Sequence, residues 1–88
     1  GLGEEIAFLD IETTGLGFPP QCASTTIAVL FRGKLEVEHA HERKRLLINE
    51  LESKARLFVT FNGSTFDLPF LRREFRVQLR QPHIDLRY

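Results

Sequence analysis

The chain has 88 residues, and its 12 basic and 12 acidic side chains give a formal net charge of zero at pH 7. This length allows one small domain, and the neutral charge argues against a simple basic nucleic-acid-binding domain. No transmembrane or signal-peptide pattern is present, which predicts no membrane partner. The single cysteine, Cys22, excludes an internal disulfide and fits a cytoplasmic protein.

Three strands are predicted in the first half of the chain, because apolar and β-branched residues alternate there. A loop rich in Gly and Pro separates the first strand from the second. Arg32-Gly33-Lys34 predicts a tight turn, so the second and third strands form a hairpin. The predicted strands cover 6–12, 25–31 and 35–41.

Two amphipathic helices and two further strands are predicted in the second half. The helices cover 42–56 and 65 to 78 or 79, and the strands cover 57–61 and 83–86. The apolar stripes of the helices are Leu47, Ile48, Leu51 and Ala55, and then Leu68, Leu71, Phe75 and Leu79. The order β-β-β-α-β-α-β predicts an α/β fold with a mixed sheet, in which a crossover helix brings the fourth strand parallel to the first.

Two carboxylates, Asp10 and Glu12, stand one residue apart on the first predicted strand. Side chains alternate along a strand, so both point to one face, with Cα atoms roughly 6.6 Å apart. A divalent cation between them would relieve their repulsion. The neighbouring Phe8, Leu9 and Ile11 predict a strand buried on both faces. That burial favours a cation site over the alternative, two solvated acids at an exposed strand end.

A third carboxylate, Asp67, lies in the first turn of the second predicted helix, on the side of Phe70 and Leu71. Capping is one explanation. Ser64 and Asp67 are spaced like a capping box, and an acid near a helix N-terminus is stabilised by the helix dipole. The other explanation is an oxygen ligand beside the two acids of the first strand, which would suit Mg²⁺ or Mn²⁺ better than Zn²⁺.

These acidic stretches resemble the motifs of a known family. Phe8-Leu9-Asp10-Ile11-Glu12-Thr13-Thr14-Gly15-Leu16 resembles the first motif of the DEDD 3′–5′ exonucleases, within the ribonuclease H-like superfamily. Asn62-Gly63 with Phe66-Asp67 and Pro69-Phe70-Leu71 resembles their second motif. His83-Ile84-Asp85-Leu86 is similar to the YprB-like ribonuclease H-like branch. The resemblance implies a ribonuclease H-like fold and a metal-dependent nuclease, most specifically a 3′–5′ exonuclease.

The resemblance also implies the catalytic residues. Asp10, Glu12 and Asp67 would be three of the family's four acidic metal ligands. They would hold two Mg²⁺ or Mn²⁺ ions that activate a water and steady the leaving oxygen during phosphodiester hydrolysis.

The expected substrate is nucleic acid, bound at a single-stranded 3′ end. By the same resemblance, Thr14, Gly15 and Leu16 would contact the terminal nucleotide, and Asn62 would hold the strand near Phe66. The residue types agree with this reading, because a turn lets the backbone approach a phosphate and an aromatic ring can stack on a base.

One departure from the family pattern is plain. The family's fourth Asp lies on a later helix, whereas this chain ends at Tyr88. Asp85 is on a strand and is interpreted as structural or as a support for the ligands. Residues 1–88 are therefore expected to be the N-terminal part of one exonuclease domain, truncated before the C-terminal helices and weakly active or inactive alone. The sheet surface left bare is expected to favour self-association.

Charge is distributed unevenly along the chain. Residues 1–16 carry four acids and no Lys or Arg, whereas the C-terminal end carries Arg72, Arg73, Arg76, Arg80 and Arg87. A polyanion bridged by metal would suit this separation, and ordinary surface charge is the alternative explanation. The alternative to an enzyme is a catalytically inactive or truncated domain that binds nucleic acid or a protein.

Overall fold

The structure is a computed structural model that describes residues 2–15, 17–61 and 66–86. A 3₁₀ turn, Leu2–Glu5, precedes the first strand. The strands are β1 (Ile6–Thr13), β2 (Ser24–Phe31), β3 (Lys34–Glu38), β4 (Leu57–Thr60) and β5 (His83–Asp85), and the helices are α1 (His41–Lys54) and α2 (Asp67–Phe75). The predicted order of strands and helices is confirmed.

The five strands form one mixed sheet in the order β3-β2-β1-β4-β5. β1 is antiparallel to β2 and parallel to β4, so α1 is the predicted crossover helix. β2 and β3 form the predicted hairpin, and β5 extends the sheet parallel to β4. The mixed α/β architecture expected from the sequence is therefore present, with β1 at the centre.

Two elements end three or more residues earlier than predicted. β3 ends at Glu38, so His39 lies after the strand and His41 begins α1, where its ring stacks on Phe75 at 5.2 Å between centroids. α2 ends at Phe75 because Arg76 adopts a left-handed backbone conformation, with φ of 55° and ψ of 47°. Such a conformation terminates a helix and is usually taken by Gly.

One face of the sheet is covered by the two helices. Ala7, Leu9 and Ile11 of β1 point to this face and are buried. The predicted helical stripes pack against them, and every member is buried, including Leu79 beyond the end of α2. Neither described helix is long and apolar enough to cross a membrane.

The opposite face of the sheet, here called the open face, carries the alternate residues of the same strands. Strand register places Phe8 beside Leu30 and Val59, and Asp10 beside Ala28. β1 is therefore not buried on both faces as predicted, because Phe8 and Asp10 are only partly buried and Glu12 is exposed. Several large apolar side chains of this face are 43–67% exposed: Leu30, Leu35, Val37, Phe61 and Ile84.

Candidate active site at the end of the central strand

The two carboxylates of β1 lie near its C-terminal end on the open face. Asp10 pairs in register with Ala28 and Glu12 with Thr26, and the register shifts between Glu12 and Thr13. Such an irregularity increases local twist and re-aims neighbouring side chains. Both acids therefore lie where the central strand leaves the sheet.

The turn after β1 is fixed by hydrogen bonds to its neighbours. The Thr14 backbone N–H donates to the Ala23 carbonyl at 3.0 Å, and the Ala23 N–H donates to the Thr14 hydroxyl at 3.1 Å. The Thr13 hydroxyl donates to the Gly15 carbonyl at 2.7 Å. Of the residues expected to contact the terminal nucleotide, Thr14 and Gly15 thus belong to an ordered turn beside the acids, and Leu16 lies outside the described residues.

Close packing explains the glycines of this turn. A Cβ atom on Gly15 or on Gly17 would lie 3.3 Å from the Cys22 sulfur, a distance that requires the neighbour to move. Cys22 thus fills the space beneath the turn.

Asp67 is the first residue of α2, and its side chain is buried. The helix N-cap is Phe66, and no side-chain hydrogen bond caps it. The capping partner suggested by the sequence, Ser64, lies outside the described residues, as does the predicted strand-binding residue Asn62. Asp67 Oδ2 is buried, and within the described parts of the chain it has no hydrogen-bond partner. A buried carboxylate oxygen without a donor is costly, so this atom is suited to a positive ligand.

The other carboxylates act electrostatically on Asp67. The pKa of Asp67 is raised to about 6, mainly by burial and then by the negative charges of Asp10, Asp85 and Glu12, in that order. Charges interact this way only at close range in a protein. The four acids therefore share one electrostatic neighbourhood at this end of the sheet.

Asp85 enters this neighbourhood through a buried contact on β4. Thr60 is fully buried, and its hydroxyl donates to Asp85 Oδ1 at 3.4 Å and lies 2.7 Å from His83 Nε2. A hydroxyl has a single proton to donate, so the His83 ring donates when that proton goes to Asp85. Burial lowers the pKa of His83. The position agrees with a supporting role for Asp85.

Three phenylalanines form an aromatic cluster next to Asp67. Phe18 lies 5.3 Å from Phe66 and 6.1 Å from Phe70 between ring centroids, and Phe66 lies 5.3 Å from Phe70. Phe66 had been predicted from the sequence to lie near the substrate strand. Phe18 was missed, although an aromatic residue in a loop rich in Gly and Pro was the available signal. Phe70 is fully buried, so the cluster offers two partly buried rings, Phe18 and Phe66, beside Asp67.

The donor set suits a hard divalent cation, because every candidate ligand is a carboxylate oxygen. The unpartnered Oδ2 of Asp67 and the mutual repulsion of the acids are both relieved by a cation. However, α2 covers the face opposite to Asp10 and Glu12. The described residues also contain no group of three or more His, Cys, Asp or Glu side chains arranged to hold a metal ion. Convergence of Asp10, Glu12 and Asp67 on one ion therefore remains a prediction.

Comparison with known protein families identifies a superfamily for the chain. A family model described as the RNase_H superfamily matches residues 7–88. The match spans all five strands and both helices and includes the acids of β1, α2 and β5. No curated protein matches the chain.

Proposed function

Because the chain belongs to the RNase_H superfamily, we propose that it is a metal-dependent nuclease that acts as a 3′–5′ exonuclease on single strands. Its mixed five-stranded sheet is a ribonuclease H-like fold, and members of the superfamily are generally nucleases that act on nucleic acid with divalent metal ions. The observation that carries the proposal is the buried, unpartnered oxygen of Asp67, on whose carboxylate the charges of three other acids act.

Asp10, Glu12 and Asp67 are the proposed metal ligands. Two Mg²⁺ or Mn²⁺ ions, when bound, would supply a nucleophilic hydroxide and stabilise charge on the leaving oxygen. The chain's own contribution is to place its carboxylates, whose burial and mutual repulsion a bound cation would offset. β1 fixes Asp10 and Glu12 two residues apart on one face, and α2 brings a carboxylate with one free oxygen to the end of the sheet.

The substrate end is proposed to lie against the turn after β1. Mutual hydrogen bonds between Thr14 and Ala23 hold this turn in one shape, and Gly15 lets it pack closely on Cys22. Phe66 adds a ring that is half-buried and available for stacking. With Leu16 and Asn62, these residues would position the terminal nucleotide, which favours an exonuclease over an endonuclease.

The resemblance to the DEDD exonucleases and their YprB-like branch extends this proposal. We propose that residues 1–88 form the N-terminal part of a larger cytoplasmic exonuclease domain. A later helix would supply the fourth acidic ligand, and the 88 residues alone would then hydrolyse nucleic acid far more slowly than the longer protein.

A non-catalytic binding domain is the second candidate. The exposed apolar residues of the open face favour it, since patches of this kind associate with other surfaces. On this view, the acids would be remnants, and the open face would bind a partner protein or a second copy of the chain.

A nuclease assay separates the two candidates. Single strands labelled at either end are incubated with Mg²⁺, with Mn²⁺ or with EDTA. Glu12→Gln is compared with Glu50→Gln, because Glu50 is also an exposed glutamate and lies on α1, where it pairs with Lys54 at 3.0 Å. We expect metal-dependent loss of nucleotides from the 3′ end that Glu12→Gln abolishes and Glu50→Gln preserves. Equal activity of both variants, or no metal-dependent hydrolysis by the wild type or its longer parent, would favour the binding domain.

A further inference from the structure

We propose that a basic cleft beside α2 binds phosphates of the nucleic-acid strand, on the side of the aromatic cluster away from the acids. Arg73 and Arg76 are the principal contacts. The inference rests on the proposed function and adds to it a path for the strand beyond the reacting phosphodiester. The path begins at Phe66 and passes Phe18, and it includes none of the proposed metal ligands.

The cleft lies between the C-terminal half of α2 and the loop after β1. Arg72, Arg73 and Arg76 line one side, and Pro19, Pro20 and Cys22 line the other. The space is shallow and measures about 510 Å³. The three arginines make this cleft basic, whereas the end of β1 is acidic. The loop that follows β1 lines the cleft, so it connects the two regions.

A continuous set of contacts connects the cleft to the acids. The Arg73 guanidinium lies over the Phe18 ring, 5.4 Å from its centroid. Phe18 in turn packs on Phe66, which directly precedes Asp67. A strand that stacks a base on the exposed part of Phe66 would therefore have its next phosphates directed toward Arg73.

Arg73 and Arg76 are more available to a ligand than Arg72. The Arg72 side chain donates to the carbonyl oxygens of Gln78 and Leu79, both at 2.9 Å, so part of its donor set is already used. Arg73 and Arg76 are exposed, and no described carboxylate lies within salt-bridge distance of either. The one acid of the cleft, Glu74, accepts a hydrogen bond from the Ser24 N–H at 2.9 Å.

The chemistry matches a phosphodiester backbone. A guanidinium presents several N–H donors in a plane that fits phosphate oxygens, and it keeps its charge at any working pH. Stacking of a base on an aromatic side chain stabilises the bound strand whatever its sequence. A strand repelled by the carboxylates at its reacting end would therefore be attracted by arginines one or two nucleotides away.

Salt dependence of binding tests this directly. Affinity for a labelled single strand is measured in EDTA by fluorescence anisotropy over a range of salt. For single strands, the slope of log affinity against log salt changes by about 0.7 for each phosphate contact. We therefore expect Arg73→Gln/Arg76→Gln to weaken binding and to flatten the slope by about 1.4.

The matched control removes two charges at the other end of the sheet. Arg32 also stacks over a phenylalanine, at 5.0 Å from the Phe31 ring, and its φ of 54° matches the 55° of Arg76. Arg56 is exposed and directly precedes β4. Phe31 pairs with Ala7 at the start of β1, so Arg32→Gln/Arg56→Gln should leave the slope unchanged.

A conservative variant guards against misfolding. Arg73→Lys keeps the charge and should therefore keep the wild-type slope. It should lower the affinity for the strand, because lysine cannot make the planar contact that Arg73 makes over Phe18. Equal slopes for the wild type and the Arg73→Gln/Arg76→Gln variant would overturn the proposal, as would an absence of strand binding at low salt. If the arginines alter the slope but Mg²⁺ elicits no hydrolysis by the chain or by its longer parent, the phosphate path stands and the nuclease function falls.

Discussion

The two faces of the sheet are built from the same strands and do different work. On the covered face, Leu9 and Phe58 are fully buried, and helices α1 and α2 pack on them. On the open face, Leu35 and Phe61 are 67% and 48% exposed. The candidate ligands Asp10 and Glu12 belong to the open face. Placing acids where little apolar area is buried lets the chain accept their repulsion at small cost to the fold.

The largest expected effect is the loss of stability on substituting a buried residue of the covered face. Phe58→Ala removes a fully buried ring and should lower the free energy of unfolding by about 3–5 kcal/mol, a large part of the stability of a small domain. Phe61→Ala removes the same ring from the open face, where it stacks on Phe8 at 6.4 Å, and should cost about 1 kcal/mol or less. Urea unfolding of both variants measures the difference, and equal losses would contradict the division between the faces.

The next effect concerns Asp67. Its helix, α2, covers one face of the sheet, and the charges of Asp10 and Glu12 on the open face act on its carboxylate. Its pKa rises from 3.8 to about 6 on folding, through burial and then through Asp10, Asp85 and Glu12. Between these values the native state binds more protons than the unfolded state, so the metal-free chain loses stability as pH rises. The loss attributable to Asp67 is at most about 3 kcal/mol.

Urea unfolding across this pH range should show the loss in the wild type and not in Asp67→Asn. The comparison is needed because burial lowers the pKa of His83, so His83 adds a pH dependence of its own. Parallel pH profiles for the wild type and the variant would show that Asp67 does not carry the raised pKa.

A third effect tests the open-face acids. Asp10→Asn removes a charge that acts on Asp67, so the metal-free fold should be equally stable or slightly more stable. Mg²⁺ at a hundredfold excess over its dissociation constant should stabilise the wild type by about 2.7 kcal/mol and have no such effect on the variant. Thermal melts with Mg²⁺ and with EDTA provide the measurement. A loss of several degrees in EDTA would instead assign Asp10 a structural role.

The smallest expected effect on stability comes from substituting exposed apolar residues at the edge of the open face. We expect the 88 residues to self-associate through this face, and Leu35→Lys/Val37→Lys to be monomeric with stability changed by about 0.5 kcal/mol or less per substitution. Leu46→Lys is the control, since Leu46 is 55% exposed on α1. Sedimentation at several concentrations tests this. A wild type that is monomeric throughout would remove the open face as an association surface.

Local patterns predicted the covered face well. The apolar stripes of both helices follow the helical period, and all eight of their residues, Leu47, Ile48, Leu51, Ala55, Leu68, Leu71, Phe75 and Leu79, are buried as expected. The turn at Arg32 and Gly33 was likewise readable, because Gly33 takes a φ of 75°. Periodicity and turn chemistry act over a few residues, so the sequence displays them directly.

Contacts between residues far apart in the sequence could not be predicted from local patterns. Lys44 is buried because its ammonium group donates to the carbonyl and hydroxyl oxygens of Ser24, 20 residues away. The early end of α2 depends on the left-handed backbone of Arg76, a residue type with no preference for it. At the candidate site, the sequence supplied the acids, but only the structure revealed that Asp67 is buried and that Phe18 joins the aromatic cluster.

The segment between α2 and β5 is tied to the end of α1 in a way that bears on how the chain folds during synthesis. Gln81 Nε2 lies 2.8–3.3 Å from the carbonyl oxygens of Leu51, Glu52 and Ala55. The Glu52 carboxylate accepts the N–H groups of Gln78 and Leu79 at 2.7 and 3.0 Å. A chain emerging from the ribosome can form the β1–β2–β3 meander from neighbouring residues, but these anchors need partners 26–30 residues later. Docking of the segment between α2 and β5 is therefore the step that completes α1, and a nascent chain stalled before Gln81 would expose that helix end to chaperones and proteases.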